Sequence, residues 1–397
     1  MITAREALDI ILETVRPLGT VSLSIEGSLG SVLAEDIVSP GLIPPFDNAA
    51  MDGFAVRSGD AVRVPVTLTL TGEVPAGSIA ASPLRKLEAM SIMTGARIPA
   101  GCDAVIQQEW TGKPDEGHVT LLRAVPQGHN IRRAGADVQA GATVLTRGSL
   151  IRPQEIGVLA SLGRRFIVVH RKPSIAILTT GSEIVDIDKP LSEGKIRNSN
   201  AYVLEALAKQ LGCESRRLGI APDEPGELKR MMTEGLEADM LITSGGVSVG
   251  KYDLVISALN ELGGSVKFWK VNIKPGMPLM FGLFREKPVF GLPGNPVSSM
   301  VTFLQFVRPA LARMMGRAAG PPLRLHAKLE EEIRKQDGKR HFVRGVLSSD
   351  NGTVSVRTTG SQVSNILTSL SKADCLIILP EERDHFPKGD EVEVELL

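Results

Sequence analysis

From Pro173 to Met315 the chain alternates short apolar runs with helical periodicities, and that alternation restricts the fold more than any other feature. Ser174-Ile-Ala-Ile-Leu178 reads as a buried strand ending in the small-residue turn Thr179-Thr-Gly-Ser-Glu183. Ser199 is predicted to cap a helix with Val203, Leu204, Leu207 and Leu211 on its inner face and Gly212 at its close. A strand near 217–220 ends in Ala221-Pro-Asp-Glu-Pro225, where Pro225 suits a first helical turn. The run 238–243 is a further strand, and Leu254, Val255, Ala258, Leu259 and Leu262 recur at helical spacing beyond it. Strand patterns at 266–273 and 278–284 precede Val289-Phe-Gly-Leu-Pro-Gly-Asn-Pro296, and an apolar helix is predicted over 297–315. Strands alternating with helices predict a parallel sheet covered on both faces, with ligands outside the carboxyl ends of its strands.

The loops at those ends carry the chemistry. Thr243-Ser-Gly-Gly-Val-Ser-Val-Gly-Lys-Tyr-Asp253 sets three glycines between strand and helix, a context that aims backbone N–H groups and a helix dipole at an anion. Gly245, Gly250 and Lys251 nearly spell the phosphate loop of nucleotide triphosphatases, but Tyr252 stands where Mg²⁺ binding needs a small hydroxyl. Asp253 would repel phosphate unless a divalent cation lay between them. The loop therefore reads as a phosphate cradle with a metal, against the simpler reading of a tight connection that uses glycine only for geometry. Glu183, Asp223 and Asp253 lie on the same rim and make a metal site the expectation, although each taken singly reads as a helix cap. Lys270 and Lys274, four apart in an extended segment, are predicted to share one face of a strand. Beside a phosphate they supply countercharge; elsewhere they are solvated lysines.

On either side the pattern changes. Residues 3–17 read as an amphipathic helix with a Thr3/Glu6 capping box. The stretch 40–55 is an ordered, proline-rich loop whose Asp47, Asn48 and Asp52 supply oxygens, with solvated turn chemistry the plainest account. Period-two runs with recurrent glycines from 64 to 122 predict a β domain containing the Met93-Thr94-Gly95 turn. Asp137 follows in a segment with two arginines around Gly135. After Pro321-Pro322 strand patterns return, joined by an Asp350-Asn-Gly352 hairpin turn, and predict a small β-barrel.

At 397 residues the chain is too long for one ordinary core. Lys plus Arg and Asp plus Glu both number 45, so no global field argues for nucleic acid or membrane. Its 3 cysteines fall in no metal-binding spacing, and no apolar run approaches the roughly 20 residues that span a bilayer. A cytoplasmic protein is expected.

Several longer motifs then converge on one family. Pro45-Phe-Asp-Asn-Ala-Ala-Met-Asp-Gly-Phe-Ala-Val56, Met93-Thr-Gly-Ala96, Thr180-Gly-Ser-Glu183, Ser244-Gly-Gly-Val-Ser-Val-Gly250 with Asp253, Ile273-Lys-Pro-Gly276 and Gly291-Leu-Pro-Gly-Asn-Pro-Val-Ser298 resemble, in order, the MoeA family of molybdopterin molybdenumtransferases, which includes the gephyrin E-domain. The resemblance implies a cytosolic homodimer that inserts molybdate into adenylated molybdopterin with Mg²⁺, releasing AMP, between an upstream molybdopterin adenylyltransferase and downstream molybdoenzymes. It implies an elongated N-terminal domain (1–40 and 135–172), an inserted β domain (41–134), a three-layer α/β/α molybdopterin-binding domain (173–318) with a mainly parallel sheet, and a C-terminal small β-barrel (319–397).

Carried over position by position, the resemblance makes Asp52, Thr94, Asp137, Glu183, Asp223, Asp253, Lys270 and Lys274 catalytic, with Glu183, Asp223 and Asp253 holding the metal. Thr180, Gly181, Ser182, Ser244, Gly245, Gly246, Ser248 and Gly250 would bind substrate, as would Pro293, Pro296 and Ser298. Molybdate would meet Lys274, Ser298 and Arg344 or Arg340. The chain departs from the family's Lys-Pro-Gly-Lys-Pro at Met277, which removes one cation and bears on the choice of molybdate over tungstate. Two other readings stay open at this point: a nucleotide pyrophosphatase sharing the α/β module, and a non-catalytic scaffold like gephyrin.

Overall fold

In the computed structural model the described residues are 1–113, 115, 117–247, 254–317 and 323–397. The assignments at Ser248, Gly250 and Asp253, with Lys251 and Tyr252, lie outside them. The chain forms two compact units, one of Met1–Glu35, Arg147–Gly157 and Arg165–Leu397, the other of Asp36–Thr146 and Val158–Arg164.

The first unit is built on a six-stranded sheet in the order Glu214–Ala221, Ser174–Thr180, Met240–Ser244, Lys287–Leu292, Met280–Phe284, Ser265–Trp269. The first four strands are parallel and the last two join them antiparallel. Alternate residues feed two separate cores. Ile175, Ile177, Ile242, Phe290 and Leu292 pack with Leu204 and Ala208 of the Ser199–Gln210 helix, while Ala176, Leu178, Leu241 and Val289 pack with Leu228 and Met232 of the Pro225–Gly235 helix. Burial on both faces is why these strands read as unbroken apolar runs.

Local chemistry moves several predicted boundaries. The cap of the Ser199–Gln210 helix is Asn198, one residue before the predicted Ser199, and its side chain accepts from Ala201 N. The first helix keeps its Thr3/Glu6 capping box but ends at Thr14, because Val15 is extended. The predicted 297–315 helix is three consecutive pieces, Pro296–Thr302, a π segment Phe303–Val307, and Arg308–Met314. Pro309 has no N–H to continue the ordinary ladder, and Arg308 N reaches back to Phe303 O. The predicted 266–273 strand is a more consequential correction. It ends at Trp269, Lys270 takes a left-handed φ of 71°, and Ile273–Lys274 pairs with Arg340 and His341 in another sheet. Lys270 and Lys274 therefore do not share a strand face.

That other sheet closes on itself. Arg340–Asp350, Thr353–Thr358, Arg324–Leu329, Glu391–Leu396 and Cys375–Leu379 pair in succession, and Cys375–Leu379 returns to Arg340–Asp350 to complete a five-stranded barrel. The Asn-Gly turn connects two of its strands as predicted, with φ of 48° at Asn351 and 80° at Gly352. Glu395, fully buried, reaches out of the barrel to Arg308 and Gln305 of the segment after Pro296.

The second unit holds a five-stranded sheet, Ala104–Gln107, Gly53–Val56, Glu88–Ile92, Val66–Val74 and His118–Leu121 in that order. Phe54, Val56, Leu68, Ile106 and Leu121 form its core. Gly53 is required where it stands, since a Cβ there would lie 2.0 Å from Ile106 O.

Candidate functional site

In the first unit, three parallel strands deliver the Thr180, Ser244 and Leu292 ends side by side. Thr180 is followed by Gly181, whose φ of 141° leaves room for the Glu183 carboxylate; a Cβ there would meet Glu183 Oε2 at 2.6 Å. Ser182 N donates to Asp223 Oδ2 at 3.0 Å, and Asp223 N donates to Ser182 Oγ at 3.2 Å. This reciprocal pair joins the loops after two neighbouring strands and brings Ser182, Glu183 and Asp223 to one place. Lys195 Nζ donates to Ser182 O at 2.6 Å, fixing the same turn from outside.

Ser244 Oγ accepts from Asn200 Nδ2 at 2.8 Å, and Asn200 Nδ2 also donates to Gly294 O at 2.8 Å. Gly245 N donates to Leu292 O at 3.0 Å. Gly245 and Gly246 adopt φ of 93° and 70°, and Cβ atoms on them would come within 2.9 and 2.8 Å of Thr180 Oγ1. That hydroxyl is buried and has no hydrogen-bond partner among the described residues. An unsatisfied buried polar atom costs free energy, about 1–3 kcal/mol, and here the backbones of two glycines pack directly against it. Pro293 is buried at the neighbouring turn, Pro296 opens the Pro296–Thr302 helix, and Ser298 is buried in its first turn.

The cationic residues are dispersed. Lys270 Nζ stands 3.8 Å from the centre of the Trp269 ring, a cation–π contact. Trp269 Nε1 in turn donates to Val247 O at 3.5 Å, at the far end of the glycine turn. Lys274 Nζ donates to Asp337 Oδ2 at 3.2 Å. Arg344 is 1% exposed, and its guanidinium donates to Ser369 Oγ and to the carbonyls of Ser361, Gln362 and Val363. Every guanidinium nitrogen is thus engaged in holding the 361–363 loop, so the expectation that Arg344 presents itself to an oxyanion is not met. Arg340 Nε donates to Glu381 Oε2 at 2.8 Å.

In the second unit, Thr94 Oγ1 and N both donate to Asp52 Oδ1, at 2.7 and 2.6 Å. The two bonds, the hydroxyl's first, pull the Asp52 carboxyl below its usual range. Asp137 is exposed, and its backbone N donates to Ile43 O at 2.9 Å. Asp47, read from the sequence as turn chemistry, accepts from Arg133 Nη1 and Ala134 N and so staples the 130s segment to the proline-rich loop.

Among the described residues no three His, Cys, Asp or Glu side chains are grouped to hold a metal. Sequence reasoning missed Asn198, Asn200 and Lys195, which position the rim without carrying a motif. Asn198 was legible as a helix cap one place before Ser199; the 200-to-244 and 195-to-182 contacts had no local signal.

Comparison with known proteins is consistent along the chain. Residues 2–163 match the MoeA N-terminal region (domain I and II), 176–313 a probable molybdopterin binding domain, and 326–397 the MoeA C-terminal region (domain IV). A protein called molybdopterin molybdenumtransferase from Haemophilus influenzae is 37% identical, covering 100% of this chain and 98% of its own. Molybdopterin molybdenumtransferase 2 of Mycobacterium tuberculosis is 35% identical over 99% of both. The crystal structure of a molybdopterin biosynthesis moeA protein from Pyrococcus horikoshii superposes with a TM-score of 0.86 at 33% identity over 100% of both chains. These matches lend no support to the pyrophosphatase or scaffold readings.

Proposed function

The chain belongs to the MoeA family of molybdopterin molybdenumtransferases in molybdenum cofactor biosynthesis, and from that membership we propose that it inserts molybdate into adenylated molybdopterin, releasing AMP. The observation that carries this reading to particular atoms is the Thr180 hydroxyl beside Gly245 and Gly246, which has no partner among the described residues. A phosphate oxygen would accept from that hydroxyl and from the Gly246 N–H, while the Gly245 N–H stays on Leu292 O and holds the turn in place. Ser244, tied to Asn200, and Pro293 set the backbone course of that seat.

Glu183 and Asp223 offer carboxylate oxygens on loops clamped together through Ser182, a donor set that suits Mg²⁺. With Asp253 they would hold the ion, which supplies charge neutralisation at the phosphates as the anhydride breaks. Lys270 and Lys274 contribute cationic stabilisation of the oxyanions, Lys270 from its seat on Trp269. Thr94 keeps Asp52 ionised and oriented, fitting it to act as an acceptor toward substrate. Ser298 remains a proposed member of this site, and Asp52, Thr94 and Asp137 of the second unit remain proposed as catalytic residues. The proposal includes a cytoplasmic homodimer, substrate supply by a molybdopterin adenylyltransferase, product use by molybdoenzymes, and the division into 1–40 with 135–172, 41–134, 173–318 and 319–397.

A crystal structure with AMP and molybdate tests the seat. The expected result has the AMP phosphate within hydrogen-bond reach of Thr180 Oγ1 and the Gly246 nitrogen. Nucleotide bound away from these two groups would overturn the assignment.

A further inference from the structure

Around Lys274 the structure gathers several cations, and all but one are compensated. Lys274 Nζ pairs with Asp337 at 3.2 Å, Arg340 with Glu381 at 2.8 Å, and the fully buried Lys335 side chain with Asp384 at 3.5 Å. His341 Nε2 lies 2.7 Å from the other Asp337 oxygen, and burial lowers the His341 pKa from its usual value despite that carboxylate. Lys339 differs. Among the described residues its Nζ has no carboxylate within 4.0 Å; its contact is Met277 Sδ at 3.8 Å. A thioether is a weak acceptor, so most of this ammonium's donor capacity stays uncommitted.

The position of Lys339 is built. Its backbone N lies 3.4 Å from Asp337 Oδ1, and Lys335 Nζ donates to its carbonyl at 3.0 Å. Asn272 Nδ2 donates to Gly338 O at 2.9 Å while Arg340 N donates to Asn272 O at 3.2 Å. These bonds fasten the turn bearing Lys339 to the segment bearing Lys274 and Met277. We propose that Lys339 is the second cation of the oxyanion seat, binding the tetrahedral dianion together with Lys274 and standing over the place where residue 277 brings no charge. Lys274 alone cannot neutralise a dianion, since it shares its charge with Asp337. The inference rests on the molybdate-inserting reading above.

Lys339→Gln, compared with wild type in molybdate-dependent AMP release, tests it. A charge-assisted hydrogen bond of about 1.5–3 kcal/mol corresponds to roughly 10- to 150-fold, so the KM for molybdate is expected to rise by that factor. The KM for adenylated molybdopterin and the unfolding midpoint should stay unchanged. Lys339→Arg should keep the wild-type KM for molybdate, and adding Met277→Lys to Lys339→Gln should recover most of the loss. An unchanged KM for molybdate in a folded, active Lys339→Gln protein would overturn the role of Lys339 and leave the parent reading standing. Wild-type protein that releases no AMP with molybdate would sink both.

Discussion

Gly245→Ala is expected to abolish detectable AMP binding and to cost about 2–5 kcal/mol of stability. The lower part of that cost is the left-handed backbone, about 1–2 kcal/mol for a residue with a Cβ. The rest is overpacking, about 1–3 kcal/mol, because the added carbon would lie 2.6 Å from Thr180 O and 2.9 Å from Thr180 Oγ1. Neither atom is the end of a flexible chain, so the strand ends must separate. That separation moves the Thr180 hydroxyl and the Gly246 N–H, the donors assigned to phosphate, and strains the bond from Gly245 N to Leu292 O. Gly263→Ala is the control: its φ is 85°, but nothing lies within 4 Å of the new carbon. It should show the backbone cost alone and bind AMP normally. Urea unfolding and isothermal titration with AMP distinguish the two, and wild-type AMP affinity in Gly245→Ala would remove the loop from the site.

Glu395→Ala should be the most destabilising single change in the first unit that touches no proposed site residue. Its carboxylate is 0% exposed; it is hydrogen-bonded to Arg308 and to Gln305 at 3.0 Å, with Arg324 Nε 3.6 Å away. Truncation leaves the Arg308 guanidinium without its buried counter-ion, a loss of about 3–5 kcal/mol. The carboxylate also ties a barrel strand to the Arg308–Met314 helix, so the barrel's cooperativity with the sheet should weaken and the unfolding transition broaden. Replacing both partners, Glu395→Leu with Arg308→Met, should recover much of the loss, because an apolar pair has no unpaired charge to bury. A stability loss below about 1 kcal/mol for Glu395→Ala would mean that water already serves these groups.

What was legible in the sequence follows the range of the physics involved. Local chemistry was read well: Thr3 and Glu6 form their capping box, Pro225 opens its helix, and Asn351-Gly352 makes a two-residue turn. The both-face burial of Ile175 to Leu178 was legible too, because no polar residue interrupts it. Lys270 failed because nothing in Trp-Lys-Val signals a left-handed lysine; it is held there by pairing with Leu279 and by the Trp269 ring. Arg344 failed for a related reason, since an arginine that ligates and one that braces a loop look alike until the 361–363 carbonyls are seen around it. Thr94 and Asp52 are 42 residues apart, and only strand pairing joins them. Lys339 carried no motif at all, and its meaning comes from the carboxylate partners that its neighbours have and that it lacks among the described residues.

The most direct measurement is single-turnover release of AMP from adenylated molybdopterin by the purified chain, with Mg²⁺, in the presence and absence of molybdate. AMP release is expected to depend on molybdate and to be accompanied by transfer of molybdenum to the pterin. Release that proceeds equally without molybdate, or none when it is supplied, would contradict the molybdate-inserting reading.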